Sequence, residues 1–272
     1  MKTTLIKILM MMNFTRTLAS KGMMNNNVLR SSMKRSLSMC SSFNRPAAFI
    51  SNSRPIQNAV IKRQTTAIAQ YIHDSDDQIE DSVSKWVKNV IVGLAFCPFA
   101  EKSKSTNKLF THIVRGDDVE EILCNVLYES ILRSDDTGTT LIVCPDLFPD
   151  DFLGFYEVVA QAELMLADNE LEGVIQIAPF HPQFQFQGSE EGGVDNLTNR
   201  SPYPIFHILR EAEVEGAVSK LDGDSSRVWQ RNIDLLEKME EEYGREKTNE
   251  IMSGKENPAV VEWVKSQKFT NM

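Results

Sequence analysis

From Ile79 onward the apolar positions switch between helical and strand spacing. Ile79, Val83, Trp86, Val87, Val90, Ile91 and Leu94 recur three and four apart behind Ser75 and Gln78, a capping-box pair. The spacing predicts a helix ending at Cys97, because Pro98 forces its predecessor out of the helical region. Lys102–Lys108 reads as a polar loop and Leu109–Val114 as a strand. Asp117–Arg133 predicts a helix with Val119, Ile122, Leu123, Val126, Leu127 and Ile131 on its apolar side. Thr139–Cys144 is β-branched and continuous, as a strand buried on both faces should be. Pro149–Asp168 predicts a helix through Phe152, Phe155, Val159, Ala162 and Leu166, and Gly173–Ala178 a third strand. Phe184 and Phe186 alternate with Gln183, Gln185 and Gln187, the mark of a fourth strand or an edge ribbon. Ser201 as cap and Pro202 at the first position predict another helix, burying Ile205, Ile208, Leu209 and Ala212. Asp224–Tyr243 completes the series and Gly244 stops it, leaving a charged tail with one short helix after Asn257–Pro258.

Helices alternating with strands favour parallel neighbours joined by right-handed crossovers. The expected architecture is therefore α/β, with a small, mainly parallel three- to four-stranded sheet and flanking helices. An α+β two-layer sandwich is the alternative. The expected organisation is a leader over 1–73, one globular domain over 74–244 and a tail over 245–272.

Charge explains that division. Residues 1–73 hold 11 Lys and Arg and no Asp or Glu, among many Ser and Asn. The remainder keeps 18 of the 29 basic residues and all 38 acidic ones, a formal −20. A basic, hydroxylated, acid-free leader is the composition of an organelle transit peptide, so a mitochondrial matrix address is expected, with the plastid stroma as alternative. A secretory signal or an unaddressed basic tail also remains open, although Lys7 interrupts the apolar run near Leu5–Phe14. No apolar run reaches the roughly 20 residues that span a bilayer. The acidic body argues against a nucleic-acid partner. Cys97, Cys124 and Cys144 are too few and too scattered for a disulfide framework, and the absence of CxxC removes the common zinc motifs.

Candidate chemistry concentrates after the third strand, in FHPQFQF at Phe180–Phe186 and NLTNRSPYPIFHILRE at Asn196–Glu211. Parallel strands would bring Arg115–Gly116, Cys144–Pro145–Asp146 and Pro179–Phe180–His181 to one sheet edge, where ligands of open α/β sheets bind. The long loop over Pro182–Asn199, with Gly188, Gly192 and Gly193, begins at that edge. Arg200, beside Asn199, would hold an anion at a helix start, or tie down its own loop through Asp195 or Glu191. Tyr203 would wall the pocket or staple the helix. His207 and Glu211, four apart, would share a helix face and pair. His181 would act as acid or base, or bond a loop carbonyl. Cys97 would be a thiol nucleophile beside His181, or a packed apolar-like cysteine. A metal set of His181, His207 and Glu211 matches no known ligand spacing.

GLAFCPFA, which closes the first helix, LEGVIQIAPFHPQFQF and NLTNRSPYPIFHILRE together resemble the domain of unknown function family 1415, a bacterial group with organellar relatives in algae and plants. The resemblance runs from about Ile79 to Met239. It implies that Cys97, Pro98, His181, Pro182, Asn199, Arg200, Tyr203 and His207 fit the family's pattern, and it carries no activity with it. The expectation is an enzyme or small-molecule-binding domain for a small anionic ligand at the carboxyl edge of the sheet. His181, His207, Glu211 and Cys97 stand as catalytic candidates, and Arg200, Tyr203, Asn199 and Arg115 as binding candidates. A non-catalytic assembly or regulatory protein and, more weakly, a metalloprotein are the alternatives. No motif assigns a cofactor.

Overall fold

The computed structural model describes residues 74–97, 100–219 and 226–267. The basic segment 1–73, with its expected organelle address, lies outside them.

Helix α1, Asp76–Trp86, starts from the expected capping box: the Gln78 amide donates to Ser75 Oγ and the Ser75 amide to Gln78 Oε1. It does not run unbroken to Cys97. After Trp86 it widens into a π-helix, Val87–Val92, in which the Gly93 amide reaches Lys88 O at 2.9 Å. A Cβ on Gly93 would come within 2.4 Å of Asn89 O, so only glycine closes that wide turn. The chain then reverses through Ala95 at φ 55. A short helix α2, Ala100–Ser105, replaces the front of the expected polar loop.

β1 (Leu109–Ile113), α3 (Val119–Asp135), β2 (Thr139–Val143), α4 (Phe152–Asp168) and β3 (Ile175–Phe180) follow in the expected order. Asp118 and Asp151 cap α3 and α4 through their side chains. The Phe184–Phe186 segment, expected as a strand, is irregular; its place in the sheet goes to β4, Ile205–Arg210. That stretch was expected as a helix. The proline-bracketed cap and the apolar spacing suit a helix, but two unpaired strand edges win: β4 fills the gap between β2 and β3, and six residues gain backbone partners. α5 (Glu211–Val218) begins directly at its end.

The sheet order is β1-β2-β4-β3. β1 and β2 pair in parallel, while β4 is antiparallel to both β2 and β3. The sheet is therefore mixed, not mainly parallel. Even so, β1, β2 and β3 all point the same way, and their carboxyl ends share one edge.

Three layers result. Ile142, Ile175, Ile177, Phe206 and Ile208 face α3 and α4 in one core. Leu141, Val143 and Ile205 face α1 and the last three helices in the other: α6 (Ser226–Tyr243), α7 (Arg245–Met252) and α8 (Pro258–Ser266). β2 is buried along its whole length because its alternate residues feed the two cores. The tail is no loose appendage: Ile251, Met252, Val260 and Val264 belong to the second core. Gly254 lies so close to Trp86 that a Cβ would sit 2.9 Å from its Cα.

Candidate functional site

At the carboxyl edge, Arg115 follows β1, Asp146 follows β2 and His181 follows β3, as co-directional strands require. Arg115 Nε meets Asp146 Oδ2 at 3.0 Å, its Nη1 donates to Asp74 O at 3.0 Å, and Asp76 Oδ1 lies 3.6 Å away. Asp146 Oδ2 also accepts the Gly116 amide, at 2.8 Å. The buried Tyr203 hydroxyl donates to Asp74 Oδ2 at 2.7 Å. Tyr203 therefore joins the start of α1 to the start of β4.

His181 is wholly buried, stacked on Phe155 with ring centroids 5.2 Å apart. Its Nδ1 accepts the Gln183 amide at 3.0 Å, which leaves Nε2–H to donate to Phe148 O at 2.9 Å. Burial lowers its pKa to about 4, so it is neutral with both nitrogens engaged. It locks the end of β3 to the loop after β2, and neither nitrogen remains for Cys97. Cys97 is half-buried, just past the Ala95 turn. That turn is gripped from α6: Arg231 Nη1 donates to Leu94 O and Ala95 O, and Asn232 Nδ2 to Phe96 O.

His207 and Glu211 do not pair. On a strand, positions four apart no longer share a helix face, and Glu211 begins α5 at the opposite edge of the sheet, its amide bonded to Val174 O. His207 Nε2 donates to Thr139 Oγ1 at 2.7 Å, and that hydroxyl in turn donates to Ile208 O. Burial lowers the His207 pKa to about 4 as well. The Glu211 carboxyl is pushed upward by burial and by Glu215 and Glu172. The set His181, His207 and Glu211 is thus not brought together. Among the described residues no three His, Cys, Asp or Glu side chains cluster to hold a metal ion.

The long loop is anchored rather than open. Buried Asn196 accepts the Phe186 amide at 2.9 Å and donates to Glu190 O at 2.7 Å, while Phe184 is buried 4.7 Å from the Phe152 ring. Asn199 takes the His181 amide on its own carbonyl and donates its side chain to Pro179 O. Arg200 is half-buried, and among the described residues its donors meet backbone carbonyls alone: Nε to Phe184 O at 3.4 Å and Nη2 to Glu191 O at 3.1 Å. Burial lowers its pKa, with Glu191 opposing. A second guanidinium comes near the same turn, since a Cβ on Gly192 would fall 2.7 Å from Arg245 Nη1. Arg245 itself is paired with Glu240 at 3.0 Å.

One cluster escaped the sequence reading. His112 on β1 meets Glu129 of α3 at 3.3 Å through Nδ1, and Thr140 donates to the other carboxylate oxygen at 3.1 Å. The His112 bond, ahead of the opposing burial, holds the Glu129 carboxyl below its ordinary range. The available signal was Glu129 itself, a charge on the apolar spacing set by Ile122 and Val126.

Residues 78–246 match the family model described as "Protein of unknown function (DUF1415)", and the chain belongs to that family. No curated protein and no solved structure matches it.

Proposed function

We propose that this family member binds a small anionic molecule, a carboxylate or a phosphate, at the carboxyl edge of its sheet, with Arg200 as the cation that receives it. The observation carrying this reading is the environment of Arg200. A guanidinium offers five N–H donors, and here two of them meet neutral carbonyls. A half-buried cation bonded to neutral carbonyls has given up hydration without forming an ion pair, and the Glu191 charge nearby offsets only part of that burial. A planar two-oxygen anion restores that balance through paired, charge-assisted bonds. Asn199 and His181 hold the chain on which Arg200 is mounted. In this reading they are positioning residues, and the function is binding.

The test is a thermal-shift titration of the full chain with inorganic phosphate, acetate and citrate, run beside Arg200→Gln. The unfolding midpoint of the native chain should rise with at least one anion and saturate, and the variant should show no such rise. Equal rises in both proteins, or none with the native chain, would overturn the reading. If Arg200→Gln unfolds well below the native chain without any anion, Arg200 is a loop clamp instead.

A further inference from the structure

β1 ends the sheet on one side with a bare edge: among the described strands it has only β2 as neighbour. The Thr139 amide bonds to Lys108 O and the Val114 amide to Val143 O, so the even-numbered residues of β1 face β2. The N–H and C=O groups of Leu109, Thr111 and Ile113 therefore point outward. Exposed edges are ordinarily blunted by charge, proline or a bulge. LFTHI has neither charge nor proline, and its register with β2 runs without a bulge. Apolar surface lies beside it. Phe110 is 39% exposed, and on α3 Tyr128 and Leu132 are 60% and 38% exposed.

We infer that β1 is a self-pairing edge, on which a second copy of this chain docks antiparallel about a twofold axis through Thr111. The strand is built for its own image. Three outward positions lie symmetrically about Thr111, so Leu109 meets Ile113 of the second copy, Thr111 meets Thr111, and each pair exchanges both bonds. On the α3 face Phe110 falls opposite His112 of the second copy, at the closer spacing of a non-hydrogen-bonded pair. The charges also agree. Lys108 starts the strand, whereas its far end carries Arg115 enclosed by Asp146 and Asp76, then Asp117 and Asp118. The twofold sets each Lys108 against the other copy's net-acidic end.

Area fixes the strength. At ~200 Å² for an aromatic side chain, the exposed parts of Phe110 and Tyr128 offer on the order of 200 Å² per copy. Leu132 and the strand backbone add to this, yet the total stays below the roughly 1,200 Å² of a standard interface. The dimer is accordingly weak and reversible.

Sedimentation equilibrium of the full chain across a dilution series tests this. The average mass should climb reversibly from one chain toward two with concentration. Thr111→Pro removes an N–H that β2 does not use, so it should leave the circular dichroism spectrum intact and weaken dimerisation by about tenfold or more. Tyr128→Lys, on the exposed side of α3, should weaken it too and decides the matter if the proline variant loses its fold. A native chain that stays monomeric throughout, or folded variants that dimerise like the native chain, would overturn the inference.

Discussion

Two neutral histidines, one buried and one half-buried, make the stability of this protein depend on pH well above the carboxylate range. His181 and His207 each have a pKa near 4 in the folded chain against an ordinary 6.5. The sign follows from proton counting. Between these values the unfolded chain binds protons that the folded chain refuses, so acid favours unfolding. Their contribution is fully present above 6.5 and is lost as pH falls toward 4. Between about pH 7 and about pH 5 each histidine withdraws about 2 kcal/mol, roughly 4 for the pair. Against a typical total of about 5–15 kcal/mol that is a large fraction. Urea unfolding at a series of pH values should show it as a falling midpoint with a constant slope. Replacing both residues by Asn should lower stability at neutral pH and flatten this dependence. A native midpoint that does not move across the window, or a double variant that keeps the full dependence, would refute the reasoning. Glu129, with its carboxyl held low, adds its own acid loss only as pH falls through the carboxylate range, so the two effects separate.

Two further outcomes concern the tail and the loop. Gly254→Ala forces a Cβ to within 2.9 Å of Trp86 at a backbone φ of +95 and should cost about 2 kcal/mol or more. The thermal midpoint should fall and α7–α8 should become open to proteolysis; an unchanged midpoint would contradict the close approach. Asn196→Ala strips the Phe186 amide and Glu190 carbonyl of their buried partner, at about 2–3 kcal/mol. Hydrogen exchange at Phe186 should accelerate, and exchange as slow as in the native chain would show that the loop is held by something else.

The helical faces and the first three strands were legible in the sequence because their periods are local. The edge at which Arg115, Asp146 and His181 gather was legible too, since it needs only that three strands share a direction. β4 was not. Ser201, Pro202 and the spacing of Ile205, Ile208 and Leu209 satisfy a helix as well as a strand, and the choice depends on edges contributed by residues far away along the chain. The His207–Glu211 pairing was lost with that helix. Pro179 within β3 fits an outer strand, a place that only the sheet order reveals. α7 hid behind its charge: Gly244 at φ +77 ends one helix, and the chain then begins another that buries only one side. His181 looked reactive because its residue type suggests chemistry, whereas the carbonyl and amide that saturate it carry no sequence signature.

The position of β4 also bears on synthesis of the chain. The last strand to leave the ribosome is the one that joins the other three, and it bonds to β2 across a separation of 68 residues. Until it arrives, the nascent polypeptide holds a parallel β1–β2 pair whose other β2 edge is unsatisfied, and a lone β3. Assembly then hinges on one late, long-range closure, a topology that folds slowly and leaves sticky intermediates for chaperones to shelter.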